Sequence, residues 1–507
     1  MHVMDITYNL FPLAFYFITF WLCIYVLTTN LRSTRKSGRV LPPGPYQRPI
    51  IGNLHQIGKK PHQSFAKLSK IYGPLMSVRL GSKQTILVSS AEMAREVLQK
   101  NDLICSNRSV PIAAQSLDHL MFSVGWLPSS STQWRYIRKM CKGLIFTTKS
   151  LNSSQAIRQE KLKELRDYLH CCSRNRKAVD FGEVAFTTSL NSMSKTVFSV
   201  DFVNFDSDSS KELKDVVLGV FKYIGCPNLS DYFPVLRLID PQGILRKAKS
   251  CHQDLFNIFD GFIDERLTVR QGSSETKKND LLEALLDENT KNESKFSINH
   301  LKHLLLDLMT AGIDPVSSTT QWAMAELLRN TEKIEKVREE LKQVIGKREE
   351  IQESDISKLP YLQAIVKETL RLHPPAPLLL PHKASEDVEI HGYTVPKDTQ
   401  TLINVYAIGR DERIWKEPEM FKPERFLESE IDIKGKHFEL IPFSAGRRIC
   451  PGLPLAYSMV QLMLASLVHN IDWKLEGKTE PKDLDMDELF GMTLQKALPL
   501  KAIPVKL

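Results

Sequence analysis

The chain has 507 residues, 42% of them hydrophobic and 25% charged, with a formal net charge of +9. That is material for a large buried core, and no repeat, low-complexity tract or internal Gly/Ser linker divides it, so one large catalytic domain is expected. The basic balance comes without zinc-ligand spacing or an RNA-binding aromatic signature, which argues against nucleic acid as a partner.

Residues 10–29 are almost wholly apolar and uncharged. Such a run, roughly 20 residues, is long enough for ~30 Å of helix across a bilayer. Arg32, Arg35, Lys36 and Arg39 follow it, and the positive-inside rule places that flank in the cytosol. No basic segment precedes the run and no small-residue cleavage site follows, so an anchor is favoured over a cleaved signal. Residues 1–31 are therefore read as a transmembrane anchor and 32–45 as a basic, proline-rich hinge. The hinge ends in Leu41-Pro42-Pro43-Gly44-Pro45, a stiff non-helical stretch. Residues 46–507 form the catalytic domain.

Within it, Leu75–Leu80 and residues 85–88 read as β-branched strands. Residues 91–100 read as a helix. From about 155 to 350 the pattern is helical, with Leu301, Leu304, Leu305 and Leu308 at helical spacing. Leu362, Ile365, Val366 and Leu370 repeat it. Strands return at Val388–Ile390 and 400–405. The expectation is a mainly α domain with small β-sheets, without the alternating order of a doubly wound fold.

Of eight cysteines, none forms a CxxC pair, and only Cys450 has a context that suggests chemistry. Residues 442–452 read Pro-Phe-Ser-Ala-Gly-Arg-Arg-Ile-Cys-Pro-Gly, a tight loop before an apolar helix starting near Leu453. Glycines there permit turns that bring backbone close to a ligand. A thiolate ahead of a helix is stabilised by free N–H groups and the positive dipole end. Arg448 can neutralise a propionate, and Phe443 can pack on a flat macrocycle. The alternative is a buried cysteine in a Gly-rich loop.

Phe443, Gly446, Arg448, Cys450 and Gly452 match every fixed position of the haem-binding signature of cytochromes P450, and the chain resembles that family. The resemblance implies the P450 fold, with haem b between distal and proximal helices and the Cys450 thiolate as the iron ligand. That ligand pushes electron density onto iron and favours O–O cleavage. It further implies a structural charge network of Glu368, Arg371 and Arg425. Trp134 and Arg138, four apart on one helix face, would hold a haem propionate. His382 would stand where related plant enzymes more often carry Arg. Segments 61–65, 317–327 and 490–497 resemble the microsomal plant terpenoid hydroxylases, the group with geraniol hydroxylase and ferruginol synthase. The implied substrate is a small apolar terpenoid, an abietane-type diterpenoid first and a monoterpenoid next. Electrons would come from NADPH through P450 reductase, which Arg135, Lys139, Lys142 and Arg447 would face. The implied location is the endoplasmic reticulum membrane, with the catalytic domain cytosolic.

One stretch departs from the family pattern. The distal helix of the family carries Ala/Gly-Gly-x-Asp/Glu-Thr, whereas here it reads Ala311-Gly312-Ile313-Asp314-Pro315. Gly312 and Asp314 remain as catalytic candidates, but the hydroxyl is lost. Proline also removes an N–H and crowds the Ala311 carbonyl, so a kink and a carbonyl free to hold water are expected. Protons would then travel by Asp314 and water, or by a hydroxyl on the substrate. By family position, residues 109–125 cap the pocket. Gly312, Ile313 and Asp314 face the substrate, Ala376 and Leu379 border it, and Met492 and Thr493 enter from the C-terminal side. Two rival readings keep the fold: oxygen-independent peroxide rearrangement, prompted by Pro315, and non-catalytic haem binding.

Overall fold

The computed structural model describes residues 40–507 apart from 206–209, 273–277, 347 and 478, together with Tyr16, Thr19 and Phe20. The anchor expected at 10–29 thus lies, but for those three residues, outside the described part. Among the described residues no helix is long and apolar enough to cross a membrane.

β-Branched alternation gives the first sheet. Strands β1 (Leu75–Leu80) and β2 (Lys83–Val88) form an antiparallel hairpin in the register Leu75↔Val88. β3 (Asn107–Arg108), β4 (His382–Lys383) and β5 (Gln400–Ile403) complete a five-stranded sheet in the order β1-β2-β5-β4-β3. Its last antiparallel pair sets Arg108 directly across from His382. The strand expected to run to 405 stops at Ile403. Asn404 ends it, because its side chain accepts the Ala407 N–H and starts a short helix, Val405–Ile408. The helix expected at 91–100 is capped by Ser90, but its last turn, Glu96–Lys100, widens to a π-turn.

Seven helices frame the site: α1 (Thr132–Met140), α2 (Phe181–Phe198), α3 (Ser210–Gly225), α4 (Ile244–Gln271), α5 (Ile298–Arg329), α6 (Pro360–Leu372) and α7 (Leu453–Val468). α5 has 32 residues, about 48 Å at the helical rise, and packs on α2, α4, α6 and α7. Its first half joins an apolar cluster with α1 to α4, and its second half joins another with α6 and α7. Trp322 of α5 is fully buried, stacks on His373 with centroids 4.0 Å apart, and donates its N–H to Leu494 O at 3.0 Å. Ser318 donates to the same carbonyl. These bonds fasten the C-terminal segment along α5.

α5 stays helical through Pro315. No break follows the missing N–H. Ser317, Thr319 and Thr320 hydroxyls donate to the carbonyls of Ile313, Pro315 and Val316, the back-bonding that short hydroxylated side chains offer inside helices.

Candidate functional site

The cysteine loop is shaped by its backbone. Ser444 and Gly446 both have positive φ, 64° and 66°. A Cβ at Gly446 would lie 2.1 Å from Leu98 O, so only glycine fits. Arg447 N–H donates to Asp102 Oδ2, and Cys450 N–H to Phe443 O, both at 3.0 Å. The Cys450 sulfur sits before α7 and receives the Gly452 and Leu453 N–H groups. Burial raises the thiol above its ordinary value, while those amides and Arg138 oppose the rise. A metal cation at the sulfur would tip that balance to thiolate.

Over this loop lies a cavity of about 370 Å³. It collects Trp134, Arg138, Gly312, Ala376, Leu379, Phe443, Arg448, Cys450, Met492 and Thr493, all named from the sequence. The lining is chiefly apolar, as a site for a small apolar ligand requires. Gly446 does not line it and serves the loop against Leu98.

Two pocket assignments on α5 are corrected. The residues of α5 that line the cavity are Leu306, Asp307, Leu308, Thr310, Ala311, Gly312, Pro315, Val316 and Thr319. Ile313 and Asp314 are not among them. At 100° per residue they turn away from the face that Gly312 and Pro315 share. Ile313 is fully buried in the apolar cluster with α1 to α4. Asp314 is 2% exposed, and its carboxylate accepts from the Thr493 hydroxyl and from Gln495 Nε2, the latter at 2.7 Å. Burial raises its pKa, and the two hydrogen bonds oppose the rise. Thr493 lines the cavity, so the acid reaches that space through the Thr493 hydroxyl and not by facing it.

Three guanidiniums converge on the cavity: Arg108, Arg138 and Arg448. Arg448 donates to the carbonyls of Ser106, Val124 and Leu127. Arg108 donates to Leu380 O and Gly125 O, and Arg138 to Ile449 O. None of the three forms an ion pair with a described carboxylate. Burial and the other two cations hold Arg108 well below its usual range, and burial with Arg138 brings Arg448 down to about 10. Arg108 was not foreseen. Its strand has two residues, and its role depends on partners far away in the chain.

His382 needs correction too. It does not line the cavity. Its Nδ1 meets Cys105 O at 3.0 Å, and burial beside Arg108 and Arg448 disfavours its charged form. Arg108, directly across from it in the β3–β4 pair, does line the cavity. Trp134 lines the cavity, but its N–H donates to Val124 O at 3.0 Å, and Arg448 lies over its ring at 4.7 Å.

Behind the loop, Glu368 accepts one guanidinium edge of Arg371, Nε and Nη2, at 2.7 and 2.8 Å, and Arg425 Nε at 3.0 Å. Arg371 also bonds the carbonyls of Gly409, Pro418 and Met420. The sequence-predicted trio is thus assembled, away from the cavity lining.

Two buried guanidiniums, Arg108 and Arg448, and the half-buried Arg138, none ion-paired to a described carboxylate, beside an apolar slot and a cysteine sulfur fit a flat macrocycle with two carboxylates and a metal centre. The family model for Cytochrome P450 matches residues 42–502. The chain is 59% identical over 487 residues to Cytochrome P450 76T24 of Catharanthus roseus, covering 96% of this chain and 97% of that protein. It is 49% identical to geraniol 8-hydroxylase of the same plant, covering 96% and 98%. It is 48% identical to ferruginol synthase of Isodon rubescens, covering 95% and 97%.

Proposed function

The chain belongs to the cytochrome P450 family, and from that premise we propose that this plant-type haem-thiolate monooxygenase hydroxylates or further oxidises a terpenoid. The observation that carries the reading is the apolar cavity closed at one end by Cys450 and ringed by Arg108, Arg138 and Arg448. Relatives named geraniol 8-hydroxylase and ferruginol synthase support a terpenoid of ten or twenty carbons.

The haem supplies oxygen activation at an iron held by a cysteine thiolate. The chain's own residues hold and seal it. Arg108, Arg138 and Arg448 would take its two carboxylates, and Phe443 would cover the sulfur side. The α5 face from Leu308 to Thr319 forms the opposite wall, where Gly312 leaves room for Met193 Cε. Pro315 offers no hydroxyl. Thr493 Oγ carries a proton that it shares with Asp314 Oδ2 at the edge of the cavity, so the acid–alcohol pair is kept, with the alcohol coming from the C-terminal segment.

Electrons reach the site from NADPH through a reductase. Arg135, Lys139, Lys142 and Arg447 are exposed around the cysteine loop and suit an acidic partner. The proposed anchor, 10–29, ties the domain to the endoplasmic reticulum membrane. Exposed Val235, Leu238 and Ile239 fit the same orientation. They follow Tyr232, which is bonded to the β1–β2 turn at Ser82. The proline hinge docks on that hairpin too, with Ser77 N–H donating to Pro43 O at 2.8 Å.

The test is a product screen in microsomes with a plant reductase. Geraniol, an abietane olefin and a phenolic abietane are supplied with and without NADPH. The expected result is an NADPH-dependent gain of oxygen on one scaffold. Product without NADPH would instead favour peroxide rearrangement, the reading that Pro315 prompts. No product from any scaffold, with haem bound, would overturn the terpenoid assignment.

A further inference from the structure

Two walls of the cavity meet with no side chain between them. α3 supplies Val220, Phe221 and Ile224 to the lining, and the C-terminal segment supplies Met492 and Thr493. Gly225, the last residue of α3, lies against the backbone of that segment. A Cβ on Gly225 would stand 1.9 Å from Met492 N, 2.5 Å from Met492 Cα and 2.6 Å from Gly491 C. Contacts that short are forbidden, and backbone atoms cannot swing aside as the end of a flexible side chain can. The turn after α3 does not itself require glycine, because Gly225 has no positive φ. In a helix glycine is also less favourable than alanine. What the missing side chain serves is the close contact.

The two walls are held differently. Hydrogen bonds tie the C-terminal segment down: Asp314 takes the Thr493 hydroxyl and Gln495 Nε2. Leu494 N–H donates to Pro375 O at 2.8 Å, and Leu494 O takes the Ser318 hydroxyl and the Trp322 N–H. α3 rests on α4 through apolar packing, so α3 is the wall that yields. A side chain at position 225 would lift its end by about an ångström, carrying Phe221 and Ile224 outward and widening the cavity. Glycine keeps the space narrow. About 370 Å³ has to take both cofactor and substrate, and that is the low end of the range for a small-molecule site alone.

We propose that Gly225 is a specificity-determining residue: it lets α3 close on the C-terminal wall and so favours a slim, acyclic terpenoid over a three-ring one. This deepens the terpenoid monooxygenase reading and rests on it. An acyclic chain fits a narrow space by rotating its own bonds. A fused tricycle keeps its girth and must part the walls, which forfeits packing on both sides of the seam.

The experiment uses the full-length holoenzyme in membranes and follows the substrate-induced shift of the haem spectrum, with geraniol and a phenolic abietane as probes. Geraniol should bind at least about tenfold tighter than the abietane. Gly225→Ala should close or reverse that gap. Gly219→Ala makes the same exchange on α3, but its Cβ would press on the Cys251 side chain, 2.7 Å from Sγ, and it should leave the gap in place. Equal binding of the two probes by the unaltered protein overturns the inference, as does a gap that survives Gly225→Ala or one that closes equally with Gly219→Ala. If the Gly225 variant does not fold, amide hydrogen exchange of the unaltered holoenzyme decides. Saturating abietane should speed exchange across 222–227 and 491–494 relative to geraniol, and equal exchange overturns the inference. Tighter binding of the abietane sinks this inference alone. No shift with either probe sinks the terpenoid reading with it.

Discussion

Arg108, Arg138 and Arg448 share one cavity and none is ion-paired to a described carboxylate; Arg448 and Arg138 disfavour the charge on Arg108, and Arg138 that on Arg448, where Asp102 opposes it. Substitution of one should separate two properties that normally move together. Arg108→Met is expected to leave the melting temperature of the haem-free protein unchanged or raised, because repulsion is relieved. It should weaken haem retention about tenfold or more, since a hydrogen bond to a charged group contributes about 1.5–3 kcal/mol. Thermal melts of the apoprotein and haem transfer to an acceptor protein read the two effects. Asp314 gives a pH signature. Its folded pKa is raised above 3.8 by burial. The protonated form is therefore favoured on folding, and stability falls as pH rises from 3.8 through the folded value. Asp314→Asn should raise the melting temperature at neutral pH and lose that advantage in acid, while electron coupling to product worsens. Cys450, Phe443, Arg448, Trp134 and Arg138 were legible because each belongs to a short local pattern. Arg108 was not, because its partners Leu380 and Arg448 lie far along the chain.

Helical arithmetic could have improved the reading of α5. Family position placed Gly312, Ile313 and Asp314 together at the substrate, yet three consecutive helical residues span 200° and cannot share one face. The stripe Leu308, Ala311, Gly312, Pro315, Val316 and Thr319 follows the i, i+3, i+4, i+7 rule that the sequence already displays. β1 and the start of α7 were read correctly from alternation and from the Pro-Gly boundary. The strand at 400–405 ran two residues too far because the Asn404 cap was overlooked. Glu368, Arg371 and Arg425 were visible as a pattern, but the carbonyls that complete their network were not. Glu368→Gln leaves the buried Arg371 and the half-buried Arg425 short of their counter-charge. It should cost about 3–5 kcal/mol, seen as a lower melting temperature and a poor yield of haem-loaded protein.

The two largest apolar clusters are joined by α5, with the cavity where they meet and the cysteine loop on one exposed face. Arg135 and Lys139 lie on that face and do not line the cavity. Reversing both to Glu should raise the apparent KM for reductase several-fold at low salt, and the difference should close as salt screens the contact. Binding of substrate, read spectrally, should not change. The convergence of the three arginines also bears on the life of the protein before it ever meets a substrate. A newly made chain carries its least settled region at the place where the cofactor belongs. A guest that binds only the folded form adds stability in proportion to the logarithm of its free concentration. Haem supply therefore acts as a quality checkpoint: chains that capture it are protected, and those that do not remain the preferred prey of proteases, so the cell's stock of this enzyme follows its stock of haem.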